Sequence, residues 1–271
     1  MNIVITGAGG VLCSAFSRAL AADGHKIALL DLNLEAAERE AEGIRKAGGK
    51  AIAVQANVLD KESLKKAHDV VLEKFGPCEV LINGAGGNNP KGTTTSEYFS
   101  KEDMLDKNVR SFFDLDQDGV SFVFNLNFLG TLLTTQAFAT DMLETGGCIV
   151  NISSMNAFTP LTKIPAYSGA KAAVSNFTQW LAVHFANCNI RVNAIAPGFF
   201  ATNQNRTLLF NEDGSLTPRS HKIISQTPMG RFGEPEELLG TLRFLIDNDA
   251  SGFVTGITIP VDGGFSAYSG V

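Results

Sequence analysis

The sequence predicts a single α/β domain built on a doubly wound parallel sheet, and three observations support this fold class. Short runs rich in Val and Ile recur along the chain, and stretches with helical spacing separate the first of them. The 271 residues suit one large α/β domain or two small ones, and no linker or internal repeat divides them. Alternating strands and helices require parallel strands joined by crossover helices on both faces of a sheet.

The strands are predicted from apolar runs that are too short for helices and that end near Gly, Asn or Asp. Their ranges are 2–6, 26–31, 51–55, 79–83, 147–153, 190–196 and 257–261, which makes about seven strands. Helices are predicted at 11–23, 33–48 and 60–75, and another begins at Tyr167. Gly48-Gly49 is the predicted C-cap of the second helix, and the third helix is predicted to begin at Asp60.

Two irregular segments interrupt this alternation. A polar insertion covers about 88–118, and a second irregular region covers about 203–230. Long loops within a compact domain are usually functional covers or spacers, and neither segment resembles an interdomain linker. We therefore assign 1–271 to one domain, with 203–230 as a substrate-loop region.

Composition and charge exclude several classes of function. The sequence carries 22 Lys and Arg against 28 Asp and Glu, a formal charge of −6, and it has no basic run. Nucleic acids and anionic membrane surfaces require concentrated basic charge, so neither is an expected partner. No signal peptide and no apolar segment of membrane-spanning length is present, which predicts a cytoplasmic protein. The four cysteines are widely spaced, which favours reduced thiols over disulfides or a metal site.

A glycine-rich turn follows the first strand, in the run Thr6-Gly7-Ala8-Gly9-Gly10. Glycines there let the backbone approach a pyrophosphate at a helix N-terminus, although a tight turn alone would also explain them. Asp31 ends the second strand, where an acid accepts hydrogen bonds from the ribose hydroxyls of NAD and repels the extra phosphate of NADP. No Arg adjoins Asp31 in the sequence, so NAD is favoured. The alternative role for Asp31 is the N-cap of the helix at 33–48.

Three residues form the most specific chemical pattern of the sequence. Tyr167 and Lys171 are four residues apart and therefore share one helix face. An ammonium beside a phenol stabilises the phenolate and lowers its pKa, which prepares the phenol for acid–base catalysis. Ser154 ends the fifth strand, and the carboxyl ends of such strands bind ligands in open α/β sheets.

With these residues, nearly the whole sequence resembles the short-chain dehydrogenase/reductase family, which has a Rossmann-type fold. Further matches are Asn83-Gly84-Ala85-Gly86, Asn127-Phe128-Leu129-Gly130-Thr131, Pro197-Gly198 with Thr202, and Val261-Asp262-Gly263-Gly264. The sequence departs from the family pattern at four positions. Val11 and Cys13 replace glycines, Asn57 replaces an Asp, and Gly84 replaces an Asn.

The resemblance implies a catalytic role for Asn127, Ser154, Tyr167 and Lys171. In that scheme Tyr167 exchanges a proton with the substrate oxygen, Ser154 binds that oxygen, and Lys171 tunes Tyr167 and binds the nicotinamide ribose. Asn127 holds a water that links Lys171 to solvent. The implied NAD-binding residues are Gly7, Gly9, Gly10, Val11, Leu12, Asp31, Asn57, Val58, Asn83, Gly84, Ala85, Tyr167, Lys171, Pro197, Gly198 and Thr202. The substrate-binding residues are Ser154, Asn156 and Tyr167.

A narrower group of the family is resembled at Asn88-Asn89-Pro90-Lys91-Gly92-Thr93-Thr94, Ser154-Met155-Asn156-Ala157-Phe158, Pro197-Gly198-Phe199-Phe200 and Asn203-Gln204-Asn205-Arg206. This group is the D-mannonate oxidoreductases (fructuronate reductases) of the short-chain type, which belong to hexuronate catabolism. This resemblance implies interconversion of D-mannonate and D-fructuronate. A sugar acid needs polar groups for its hydroxyls, for which the candidates are Asn88, Asn89, Asn156, Asn203, Gln204 and Asn205. It also needs a cation for its carboxylate, for which the candidates are Lys91, Lys163 and Arg206. Each cation is also explained as an ordinary surface residue.

Four alternatives stay open on the sequence. The protein could act on a polyol, gluconate-type or 3-oxoacyl substrate, or bind NAD as a non-catalytic regulator.

The phenylalanines between Phe122 and Phe128 are predicted to pack in the core. Family members commonly form homodimers or homotetramers through the helices after strands four and five, although the apolar stripe around Trp180 would equally suit the core of a monomer.

Overall fold

All seven predicted strands form one parallel sheet in a computed structural model that describes residues 1–201 and 206–270. The strands are β1 Asn2–Thr6, β2 Lys26–Asp31, β3 Lys50–Gln55, β4 Val80–Asn83, β5 Gly147–Ile152, β6 Ile190–Pro197 and β7 Thr258–Val261. Their order is β3-β2-β1-β4-β5-β6-β7. The polypeptide therefore changes direction across the sheet between β1 and β4, and an open α/β sheet binds ligands at the carboxyl ends of strands beside such a point.

Helices connect the strands and cover both faces of the sheet. They are α1 Val11–Ala22, α2 Leu34–Lys46, α3 Lys61–Phe75, α4 Gln117–Phe124, α5 Gly130–Phe138, α6 Pro165–His184, α7 Arg206–Leu209, α8 Pro218–Ser225, α9 Leu239–Ile246 and α10 Asn248–Ser251. Asp60 caps α3, as the sequence predicts. The cap of α2 is Asn33, whose side chain accepts a hydrogen bond from the Ala36 N–H. Asp31 is thus not that cap.

The strands divide the apolar residues between two cores. On one face, Ile3 and Ile5 of β1 belong to a cluster that contains Phe16 of α1 and also residues of α2 and α9. On the other face, Val4 lies in a cluster with Phe138 of α5 and with residues of α3 and α6. Because successive residues of a strand point to opposite faces, β1 serves both cores and is buried on both sides.

Two expectations fail outside the sheet. Phe122 and Phe124 of α4 are exposed, because the buried side of that helix consists of Gly119 and Val123. The region at 203–230 is more regular than predicted, since it contains both α7 and α8. Along the described ranges, no helix combines the length and the apolar character needed to cross a bilayer.

Candidate active site

An open cleft of about 480 Å³ lies at the carboxyl edge of the sheet, over the point where the polypeptide changes direction. Seven of the predicted cofactor residues line it: Gly7, Gly9, Gly10, Asp31, Asn57, Val58 and Ala85. They come from the β1–α1 turn, the end of β2, the β3–α3 loop and the β4 loop. The fold thus brings together four segments that the sequence marked separately.

The glycine turn has the small, close-packed backbone that a pyrophosphate requires. Gly7 adopts a φ of 64°, and a β-carbon there would lie 2.9 Å from Cα of Ala85. A β-carbon on Gly9 would lie 2.8 Å from Cβ of Ala36, so the turn has no room for a side chain. Gly10 is the N-cap of α1 and has no side chain to bond the first N–H groups of the helix. Those groups suit an anion at the helix N-terminus.

Asp31 ends β2 and faces the turn across the cleft. Its Oδ2 accepts a hydrogen bond of 2.9 Å from the Gly9 N–H, and its Oδ1 accepts one of 2.9 Å from the Asn33 N–H. Each carboxylate oxygen has further lone pairs, so both can still accept from ribose hydroxyls. This position agrees with the ribose-binding role and not with the helix-cap alternative.

Arg39, Gly86 and Leu126 also line the cleft, and the sequence reasoning missed them. Arg39 stands one helical turn after Ala36, so helical spacing would have placed both on the side of α2 that faces the cleft. The absence of an Arg next to Asp31 in the sequence therefore did not exclude a guanidinium at this rim. Gly86 and Leu126 have no polar side chain that would have identified them as cofactor-binding residues.

The other predicted cofactor residues that the structure describes do not line this cleft. Val11 and Leu12 open α1. The Asn83 side chain is buried and donates to Oγ1 of Thr135 and Oδ1 of Asn151, so it joins α5 to the sheet. Gly198 follows β6, and its backbone packs so tightly on Asp262 that a β-carbon would lie 2.6 Å from Cα of that residue. Pro197 ends β6, Gly84 follows β4, and Thr202 lies outside the described residues.

Ser154 and Tyr167 meet at the ends of β5 and α6. Ile152 pairs with Ile195 in the sheet, so Ser154 and Pro197 each lie two residues beyond a paired position and are neighbours at the carboxyl edge. Tyr167 lies in the first turn of α6, with Ser154 near its phenol as a hydrogen-bonding group that lowers the pKa of Tyr167. The two hydroxyls are therefore adjacent, as acid–base chemistry on one substrate oxygen requires.

Lys171 is buried one turn after Tyr167, with its Nζ 5.7 Å from the centre of the Tyr167 ring. The ammonium donates a hydrogen bond of 2.7 Å to the carbonyl oxygen of Ile152, and burial lowers the pKa of Lys171 to about 8. The pKa of Tyr167 is raised by burial, and the hydrogen bond with Ser154 only partly offsets this. The expectation that Lys171 brings the pKa of Tyr167 below its ordinary value is thus wrong, because burial dominates.

Asn127 is fully buried in the π-helical turn Asn125–Leu129 that joins α4 to α5. Its Nδ2 donates to the carbonyl oxygens of Gly87 and Val123, each at 2.7 Å, and its Oδ1 accepts from the Gly87 N–H. A β-carbon on Gly86 would lie 2.6 Å from Oδ1 of Asn127 and 3.1 Å from Nζ of Lys171. Asn127 and Lys171 therefore lie against the same glycine, which itself lines the cleft.

The insertion packs beside these residues. The Thr94 N–H donates to the carbonyl oxygen of Lys163, and Glu97 forms an ion pair of 2.9 Å with Lys222 of α8. Asp114 bonds Ser111, and Asp116 is the N-cap of α4, which accounts for two of the acidic residues in this segment. No group of three His, Cys, Asp or Glu in the described ranges is arranged to hold a metal ion.

Among the predicted substrate residues, Asn156 is buried next to Ser154, and its N–H donates to Oγ of Ser154 at 3.3 Å. Its Oδ1 is buried and accepts no hydrogen bond from the described residues. Lys91 lies in the insertion and Lys163 precedes α6. Asn203, Gln204, Asn205 and the side chain of Arg206 lie outside what the structure describes.

Comparisons with known proteins agree with the fold. A family model described as short chain dehydrogenase matches residues 1–213. An uncharacterized oxidoreductase of Haemophilus influenzae is 62% identical over 270 residues, which cover 99% of this chain and 94% of that protein. One of Bacillus subtilis is 54% identical over 269 residues, covering 99% and 95%. A crystal structure from Haemophilus, described as a candidate D-mannonate oxidoreductase with bound NAD, has a TM-score of 0.95 and 61% identity, covering 99% and 96%.

Proposed function

Because this protein belongs to the short chain dehydrogenase family, we propose that it is an NAD-dependent oxidoreductase that interconverts a sugar-acid alcohol and its ketone, with D-mannonate and D-fructuronate as the pair. The observation that carries the proposal is the buried Lys171, whose Nζ lies 5.7 Å from the centre of the Tyr167 ring and against Gly86, a glycine that lines the same cleft as Asp31. The NAD in the Haemophilus structure supports the choice of cofactor.

The cleft fits a dinucleotide. Gly7, Gly9 and Gly10 would hold the pyrophosphate against the N-terminus of α1, and Asp31 would accept hydrogen bonds from the adenosine ribose. Asn57 would lie at the adenine end of the cleft. The nicotinamide, when bound, accepts a hydride from the alcohol carbon and, in its reduced form, returns one to the ketone.

Tyr167 exchanges the proton with the substrate oxygen. In ketone reduction its phenol donates a proton to the carbonyl oxygen as that carbon gains a hydride, and in alcohol oxidation the phenolate takes the hydroxyl proton. Because burial raises the pKa of Tyr167, the phenol is protonated at neutral pH and ready for the reduction step. Ser154 hydrogen-bonds the developing oxyanion. Lys171 uses one N–H on Ile152, so two N–H donors are left for the nicotinamide ribose and the phenolate.

The proposed substrate class rests on the polar groups around this end of the cleft. The buried Oδ1 of Asn156 provides an acceptor for a sugar hydroxyl next to Ser154. Lys91 and Lys163 are the described candidates for the carboxylate, and Lys163 lies four residues before Tyr167 in the turn that precedes α6. The Haemophilus structure described as a candidate D-mannonate oxidoreductase supports the specific pair of substrates.

The test is turnover by the purified protein. The substrates D-mannonate with NAD and D-fructuronate with NADH are compared with D-gluconate and a 3-oxoacyl thioester, and nicotinamide absorbance is followed. The proposal predicts that the mannonate–fructuronate pair gives the highest kcat/KM. Efficient turnover of another polyol with none of this pair would remove the substrate assignment and keep the family chemistry. Tight NAD binding without turnover of any of these compounds would favour a regulator.

We also propose a homo-oligomer, assembled through the faces of α5 and α6. Trp180 is exposed, and its ring stacks on His184 with the centroids 4.5 Å apart. The groove between the two helices has a volume of about 320 Å³ and is mostly apolar. Equilibrium sedimentation of the wild type against Trp180→Glu tests this, since a buried charge at such a face would dissociate the assembly. A monomeric wild type would refute it.

A further inference from the structure

Two positions at which this sequence departs from the family pattern lie against each other. Cys13 is buried in the first turn of α1, and Gly84 is the first residue after β4. A β-carbon built on Gly84 would lie 2.2 Å from Sγ of Cys13, a distance that no two such atoms tolerate. The backbone of Gly84 lies outside the left-handed region, so its conformation would admit a side chain. The thiol is therefore the nearest obstacle to a side chain at position 84.

We propose that Cys13 and Gly84 are a reciprocal pair in which the thiol fills the volume that a side chain at position 84 would take, so that Cys13 is a positioning residue for the segment Gly84–Gly86. Neither Cys13 nor Gly84 lines the cleft itself, so the inference concerns how the cleft wall is held in place. It rests on the proposed function only where NAD affinity is the readout.

Hydrogen bonds and close packing fix the segment Gly84–Gly86 on the side that faces the glycine turn. Oγ1 of Thr6 accepts hydrogen bonds from the N–H groups of Gly84 at 3.1 Å and Ala85 at 3.2 Å. Gly7 packs against the backbone of Ala85, as its 2.9 Å β-carbon distance shows. With the Cys13 thiol under Gly84, the segment cannot move toward β1 and α1 without a steric conflict.

On its other side the same segment supports the candidate catalytic residues. Gly86 lines the cleft and lies against Oδ1 of Asn127 and Nζ of Lys171. A change of about half an ångström at Gly84 would be passed through Ala85 to Gly86, because packed interiors transmit strain. The Cys13 thiol therefore fixes the wall of the cleft at the point where Lys171 must reach the nicotinamide ribose.

A double-mutant cycle tests the pairing. Gly84→Ala adds the conflicting β-carbon. Cys13→Ala removes the sulfur that this β-carbon would meet and keeps Cβ of Cys13, which causes no conflict because it lies 3.7 Å away. The added β-carbon also lies 2.8 Å from the carbonyl oxygen of Thr6, so recovery in the double variant is partial. Cys148→Ala, at a buried cysteine of β5, is the matched control.

Two measurements are made on each full-length variant: Tm, and NAD affinity by calorimetry without substrate. We expect Gly84→Ala to lower Tm by roughly 3–10 °C and NAD affinity by at least about tenfold. Cys13→Ala should restore more than half of each loss, and Cys148→Ala should restore neither. If Gly84→Ala causes the same losses in the wild type as in the Cys13→Ala background, the two substitutions are additive and the pairing is overturned. A wild type that does not bind NAD would refute the proposed function, while the Tm arm would still decide this inference.

Discussion

The ammonium of Lys171 and the carbonyl oxygen of Ile152 form a hydrogen bond of 2.7 Å inside the protein, one helical turn from Tyr167. This bond directs the Lys171 side chain toward the end of β5, and the lysine is nearly inaccessible to water. A buried cation is expensive to keep, so its retention next to a phenol at a cleft points to chemistry and not to stability.

Replacing Lys171 by Met should stabilise the protein and inactivate it. Burial lowers the pKa of Lys171 to about 8 from 10.5, so the unfolded protein binds this proton more tightly than the folded one. Burying the charged Lys171 therefore lowers the free energy of unfolding. This loss of stability is fully present below about pH 8 and disappears as the pH rises through the pKa that Lys171 has in the unfolded protein. At pH 7, Lys171→Met should raise Tm by several degrees and lower kcat by at least about a hundredfold. Lys163→Met is the control, with Tm unchanged; a lower Tm for Lys171→Met would contradict this expectation.

The rate of alcohol oxidation should rise with pH. Oxidation needs the phenolate of Tyr167, and burial raises the pKa of that phenol, so the active fraction grows as pH increases. Between about pH 6 and pH 8 the value of kcat/KM should rise by nearly tenfold per pH unit, and ketone reduction should stay flat. Ser154→Ala removes the hydrogen bond that lowers the pKa of Tyr167 and should displace the profile to higher pH. A flat oxidation profile would exclude Tyr167 as the base.

Asp31→Asn should weaken the preference for NAD over NADP. The substitution removes the negative charge of Asp31, while the amide oxygen can still accept the hydrogen bond from the Gly9 N–H. Arg39, which lines the same cleft, can then attract the extra phosphate of NADP without a neighbouring carboxylate that repels it. The ratio of kcat/KM for NAD to that for NADP should fall by at least about tenfold. Glu35→Gln removes an equal charge from the first turn of α2 and should leave the ratio unchanged. An unchanged ratio in Asp31→Asn would place the adenosine ribose elsewhere.

Asn127→Ala should reduce both stability and activity. The substitution leaves the N–H of Gly87 and the carbonyl oxygens of Gly87 and Val123 without their partner, at a site where water has little access. The expected loss is about 1–3 kcal/mol in the free energy of unfolding, measured by urea denaturation. Asn125→Ala changes an exposed residue of the same π-helical turn and should lose little. Equal losses in the two variants would show that the Asn127 amide has no special role.

The parts of the molecule that local pattern determines could be predicted from the sequence. The strand runs and the spacing of Tyr167 and Lys171 depend on neighbouring residues, and the structure places them as expected. The pKa of Tyr167 and the contact between Cys13 and Gly84 depend on which distant segments bury a group. Phe122 shows the same limit, because spacing cannot tell which face of a helix another element covers.

The most direct test of the central claim compares wild type with Tyr167→Phe in the oxidation of D-mannonate by NAD, with NAD affinity measured in parallel. The substitution removes one hydroxyl and keeps the ring on α6. We expect NADH formation by the wild type, a rate at least about a thousandfold lower in Tyr167→Phe, and NAD affinity within about threefold. A Tyr167→Phe variant that oxidises D-mannonate at nearly the wild-type rate would contradict the proposed mechanism.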